Sequence, residues 1–138
     1  MANPPDAAPY GAPVPPARSG RLTLTALAKM VSAGERLAML TAYDASLAGV
    51  CDRAGVDILL VGDSLGMVIQ GHPTTLPVEL SHALYHTRCV VAGCPRPLVI
   101  TDLPFGTYQA GPEDAFRASV AALQAGARQR VVLGIQWQ

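Results

Sequence analysis

The sequence predicts an α/β fold with a parallel sheet covered on both faces, and three features carry that prediction. Short uninterrupted apolar runs of strand length recur along the chain: Leu37 to Thr41, Ile58 to Val61, Leu98 to Thr101 and, last, Val131 to Ile135. Between them lie stretches with apolar residues at helical spacing, each closed by a glycine suited to ending a helix. The two kinds of segment alternate, which is the pattern of right-handed βαβ units, and strands without polar alternation fit a sheet buried on both sides.

Each element has a local reason. Residues 1–20 hold six of the twelve prolines and no apolar period of 2 or 3.6, so they read as a disordered Pro/Ala-rich tail. Asp6 and the shortage of arginine argue against a transit peptide. Thr23 can cap a first helix with Leu24, Leu27, Ala28 and Val31 as its inner stripe and Gly34 as its stop. After the first strand, Asp44 can cap a helix from Ala45 to Ala54, with Leu47, Val50, Cys51 and Ala54 inward and Gly55 at its end.

The second strand, Ile58 to Val61, runs into a loop, Gly62 to Gly66, and an irregular passage through Pro73 and Pro77. A third helix is expected from about Val78 to Ala92, with Leu80, Leu84, Thr87 and Val91 inward and Gly93 as terminator. Pro112 suits the first turn of a fourth helix, whose inner stripe would be Ala115, Phe116, Ser119, Val120, Ala122 and Leu123 before Gly126.

Composition narrows the function. With 10 basic and 10 acidic residues in 138 and a net charge of +0, the chain lacks the clustered basic surface that nucleic acid or an anionic membrane requires. Half the residues are apolar and only 14% are charged, against roughly 25% in an average globular protein, so the chain as a whole expects a substantial core. No apolar run approaches the ~18 residues that span a bilayer. The three cysteines, Cys51, Cys89 and Cys94, are odd in number, form no C-x-x-C pair and follow no apolar leader, so reduced thiols in a soluble cytoplasmic protein are expected, with Cys51 and Cys89 as small core side chains.

In parallel α/β sheets ligands bind beyond the carboxyl ends of the strands. There the first strand runs into Thr41-Ala42-Tyr43-Asp44, the second into Gly62-Asp63-Ser64 and the third into Thr101-Asp102-Leu103. If their strands are neighbours, Asp63 and Asp102 point into one crevice, where two like charges need a cation or a shared proton. An oxygen-only pair with open positions suits Mg²⁺. The competing reading is that each aspartate caps the turn or helix that follows it. Gly62 and Gly66 would allow a tight turn whose amides, with the Ser64 hydroxyl, face an anion such as a carboxylate. It is not a phosphate loop, since His72 stands where the lysine should follow Gly71. His82 and His86 lie four apart on one helix without the glutamate of a zinc-protease motif, so a packed or hydrogen-bonded pair is expected.

Six segments, in order and spacing, resemble the ketopantoate hydroxymethyltransferase family: MLTAYD at 39–44, AGVD at 54–57, VGDSLGM at 61–67, TLPV at 75–78, YHT at 85–87 and DLPFG at 102–106. The resemblance covers residues 21–127 and implies a (β/α)₈ TIM barrel that assembles into a homo-oligomer. It also implies Mg²⁺ and transfer of a one-carbon unit from 5,10-methylenetetrahydrofolate to 3-methyl-2-oxobutanoate, giving 2-dehydropantoate. By motif match Asp63 and Asp102 carry over as Mg²⁺ ligands, and Asp63, Ser64 and Asp102 as residues around the keto acid.

Beyond Ala125-Gly126-Ala127 the family pattern continues approximately as V-K-x-E-G-G, whose lysine contacts substrate and whose glutamate completes the metal site. Here Val131 and Leu133 occupy those places, and the family's general-base glutamate, beyond the fourth strand, has no counterpart. The expectation is therefore a truncated partial barrel of about four strands, with residues 128–138 a divergent, frame-shifted segment. Such a chain would be inactive or impaired alone, exposing strand edges that limit its solubility. Its alternative role is a non-catalytic Mg²⁺-binding half that holds a keto acid or pairs with a full-length homologue.

Overall fold

A computed structural model describes residues 20–127 of the chain. The predicted strand Val131 to Ile135, the segment 128–138 and all but the last residue of the tail lie outside the described residues. The elements, in order, are α1 (Leu24–Ser32), β1 (Met39–Thr41), α2 (Ala45–Arg53), β2 (Ile58–Val61), α3 (Leu65–Val68), α4 (Leu80–Gly93), β3 (Leu98–Thr101) and α5 (Pro112–Gln124).

The predicted caps are made. Thr23 Oγ1 accepts the Ala26 amide at 3.1 Å at the start of α1, and Asp44 Oδ1 accepts the Leu47 amide at 2.8 Å at the start of α2. Gly34 and Gly55 follow these helices at φ of +77° and +83°, a region that glycine enters without steric penalty. Two boundaries differ from expectation. The helix predicted from Val78 begins at Leu80, because the Glu79 amide is taken by His82 Nδ1 at 3.2 Å. Leu65–Val68, expected to be loop, forms a single helical turn.

The three strands form one parallel sheet in the order β1-β2-β3, with Met39 beside Ile58, Leu60 beside Ile100 and Val61 beside Thr101. On one side of the sheet Leu59, Val61 and Val99 pack with Ala48 and Cys51 of α2 and Val90 of α4. Leu98 and Ile100 form a second cluster with Leu27 and Met30 of α1, joined by Ile58 and Leu60. A third joins Ala118 and Ala122 of α5 to Leu103. The α/β class and the parallel sheet are thus present. β1 at the sheet's edge leaves Met39 55% and Leu40 52% exposed, so the two-sided cover predicted for every strand holds for β2 and β3 and not for β1.

Periodicity predicts the helix faces only in part: Leu27, Cys51, Thr87 and Ala122 are buried as expected, while larger residues of the same stripes are not. Leu27 and Met30 are the buried residues of α1, and Leu24 and Val31 are exposed. In α2 the buried pair is Ala48 and Cys51 while Leu47 and Val50 face out. In α4 it is Ala83, Thr87 and Val90 that are buried, with Leu80 and Leu84 half-buried against the third cluster. In α5 it is Ala118 and Ala122, with Phe116 68% exposed. The reason is close approach: a Cβ on Gly93 would lie 2.1 Å from the Ala45 carbonyl oxygen, so α2 and α4 meet backbone to backbone. Small residues occupy such seams because larger ones would force the helices apart. Gly93 is accordingly the last residue of α4 and a packing residue rather than a stop signal.

At the amino-terminal ends of the strands sits a buried ionic cluster that no motif announced. Arg96 lies 3.4 Å from Asp52 and 3.6 Å from Asp57, and its Nη2 donates to the Val56 carbonyl. Asp57 Oδ2 in turn accepts the Ala38 amide at 3.0 Å. This ties the entry to β1, the start of β2 and the approach to β3 together, on the face opposite the one where ligands bind. Among the described residues no helix is long and apolar enough to cross a membrane.

Candidate functional site

Parallel strands in register deliver the residues that follow them to one edge. Asp63 comes two residues after β2, and Asp102 comes directly after β3, where its amide donates to the Val61 carbonyl at 2.9 Å. The two carboxyl groups are near enough to interact. Burial first, and then the charge of Asp63, push the Asp102 carboxyl up to about 6 from 3.8, against a hydrogen bond from the Leu103 amide that pulls it down. Asp102 Oδ1 is buried and has no hydrogen-bond partner.

A buried carboxylate oxygen without a donor, beside a second carboxylate, is electrostatically unfavourable in the absence of a positive charge. A hard divalent cation relieves both terms at once and takes oxygen ligands. The donor set therefore fits Mg²⁺. Among the described residues no group of three or more His, Cys, Asp or Glu side chains gathers as a metal site. A cation held by this pair would take its remaining ligands from water and substrate, which is how Mg²⁺ is commonly bound. The capping alternative accounts for the Leu103 amide bonded to the Asp102 carboxyl and leaves Oδ1 of Asp102 without a partner.

Ser64 precedes α3, and its side chain makes no capping bond there. Its hydroxyl instead meets the Tyr43 phenol oxygen at 2.5 Å. The anion cradle expected between Gly62 and Gly66 is smaller than predicted. The amides of Leu65, Gly66 and Met67 are bonded to the carbonyls of Gly62, Asp63 and Ser64, and so are turned into the helical turn. Neither Gly62 nor Gly66 has a positive φ. Gly66 is needed for space: a Cβ there would lie 2.5 Å from Val78 Cγ2.

Two polar contacts brace this edge from α4. Thr87 Oγ1 donates to the Ala83 carbonyl and therefore accepts from Thr101 Oγ1, both at 2.7 Å and buried, which fixes the end of β3 immediately before Asp102. His86 Nδ1 bonds the Tyr43 carbonyl at 2.7 Å, and the Tyr43 and His86 rings meet edge to face at 6.3 Å. Both histidines of α4 are thus hydrogen-bonded, His82 in the helix cap and His86 to β1's exit, as expected of a pair without the glutamate of a zinc motif. Sequence reasoning placed Tyr43 at a strand end but assigned it nothing.

Comparison with known proteins agrees with the motifs. A family model described as ketopantoate hydroxymethyltransferase matches residues 21–136. The 3-methyl-2-oxobutanoate hydroxymethyltransferase of Ralstonia nicotianae is 55% identical over 116 residues, covering 84% of this chain and 42% of the relative. The protein of the same name from Thiobacillus denitrificans is 58% identical over 106 residues, 77% of this chain and 40% of its own length. That from Burkholderia vietnamiensis is 55% identical over 116 residues, again 84% and 42%. The chain spans about two-fifths of the length of these curated relatives.

Proposed function

Because the chain belongs to the ketopantoate hydroxymethyltransferase family, we propose that it serves hydroxymethyl transfer to 3-methyl-2-oxobutanoate, with 5,10-methylenetetrahydrofolate as the one-carbon donor and 2-dehydropantoate as product. The three parallel strands are then the beginning of a (β/α)₈ barrel whose subunits assemble as a homo-oligomer. The observation that carries the reading is the pair Asp63 and Asp102 at the strand ends, one with an orphaned buried oxygen.

In this reading Asp63 and Asp102 hold Mg²⁺. The ion, when bound, withdraws electron density from the keto acid and makes its C3 proton more acidic. Asp102 must give up its proton to serve as ligand, so its affinity for a cation rises as pH passes about 6. The Ser64 hydroxyl donates a hydrogen bond to an oxygen of the keto acid and orients it over the carboxylates. Thr101 and Thr87 hold the end of β3 so that Asp102 keeps its place.

A second reading is a non-catalytic chain that binds Mg²⁺ and the keto acid. What favours it is the sequence at 131 and 133, where valine and leucine stand in place of the lysine and glutamate of the family pattern. Incubation with Mg²⁺ and 3-methyl-2-oxobutanoate in D₂O, following C3 deuteration by NMR, separates the two. Exchange above the metal-only rate supports catalysis; binding without exchange supports the second reading; neither binding nor exchange refutes both.

A further inference from the structure

The pair formed by Tyr43 and Ser64 goes beyond the metal site and rests on the reading of Ser64 as a substrate-facing residue. A serine hydroxyl rotates among three staggered states, and one at a helix start usually turns back to cap it. The half-buried Ser64 does not: it makes no cap bond, and its oxygen lies 2.5 Å from the Tyr43 phenol oxygen. Tyr43 is itself held at both ends. Its ring is buried in the main core cluster, its carbonyl accepts His86 Nδ1–H at 2.7 Å, and the next residue, Asp44, is fixed as the cap of α2.

We infer that Tyr43 is a positioning residue for the keto-acid site: its phenol donates to Ser64 Oγ and thereby directs the one serine proton toward the ligand beside Asp63. The direction of the bond follows from acidity. A phenol, ionising near pH ~10, is a far better donor than an aliphatic alcohol, so the tyrosine proton occupies the short contact. With Oγ accepting from Tyr43, the Ser64 proton is left for a second partner, and an anionic oxygen of a keto acid is an acceptor that matches it. His86 contributes by pinning the backbone from which the tyrosine reaches across.

The test uses the full chain and the variants Tyr43→Phe, Ser64→Ala and the double substitution. Tyr43→Phe removes one oxygen and keeps the buried ring, so thermal unfolding serves as the check that the fold persists. In protein labelled at tyrosine Cζ, the resonance that disappears in Tyr43→Phe identifies Tyr43, and Ser64→Ala should shift it. Calorimetry with 3-methyl-2-oxobutanoate in saturating Mg²⁺ should show Tyr43→Phe weakening affinity about 2- to 10-fold, the range for one hydrogen bond. The double variant should be no weaker than Ser64→Ala alone, a non-additivity that a merely structural tyrosine would not produce.

An unmoved Cζ resonance, wild-type affinity in Tyr43→Phe, or losses that simply add would each overturn the inference. If the resonance moves but wild-type protein binds no keto acid, the functional reading fails while the Tyr43–Ser64 pair stands, so the two failures are told apart.

Discussion

Replacing Asp102 with asparagine should make the metal-free protein more stable at neutral pH and no more stable in acid. The group's folded value, about 6, lies above its ordinary 3.8, so the ionised form is disfavoured by folding. Below pH 3.8 the carboxyl is protonated in both folded and unfolded chains, and no penalty exists. Between the two values the folded chain holds a proton that the unfolded chain has lost, so stability falls as pH rises. Above about 6 the penalty is complete. At full weight the difference corresponds to ~3 kcal/mol; solvent reaching the half-buried carboxyl screens it to roughly 1–2 kcal/mol. Urea denaturation at about pH 3 and about pH 7.5 measures it: Asp102→Asn should equal wild type at the lower pH and exceed it by roughly 1–2 kcal/mol at the higher. Mg²⁺ at ten times its dissociation constant should restore about 1.4 kcal/mol to wild type and nothing to the variant. An advantage of equal size at both pH values, or a variant less stable at pH 7.5, would refute the account of the site as a buried like-charge pair.

Other substitutions probe what holds that site in place. Gly93→Ala sets a methyl group against the Ala45 backbone and should destabilise by about 1–3 kcal/mol or more in denaturant unfolding. Asp57→Ala removes a partner of buried Arg96 and the acceptor for the Ala38 amide, with an expected loss of about 3–5 kcal/mol; Arg96→Met with Asp57→Leu should recover part of it in the same assay. Asp44→Ala deletes the α2 cap and should cost about 1 kcal/mol in thermal or urea unfolding.

Much of the architecture was legible because it is local. The caps at Thr23 and Asp44, the glycines after α1 and α2 and the first three strand runs are decided within a few residues, and the structure reproduces them. That Asp63 and Asp102 meet followed from one topological rule, since parallel neighbours end at the same edge. Leu27, Cys51, Thr87 and Ala122 face inward as expected, but the larger residues around them do not, because apolar periodicity marks the larger residues whereas the α2–α4 seam is closed by small ones, Gly93 against Ala45 among them. Nothing in a window around Arg96 shows that Asp52 and Asp57, some forty residues earlier, will neutralise it.

The sequence by itself determined the class, the alternation of the three strands with the longer helices and the family, because hydropathy period, capping chemistry and motif spacing are properties of neighbours along the chain. Only the tertiary structure decided what Tyr43, His86 and Thr87 do. Each meets a partner brought from another element: Ser64 across 21 positions, Tyr43 across 43 and Thr101 across 14. Such contacts depend on how closely two backbones approach, and that distance is set by the small residues between them, not by the pattern of the large ones.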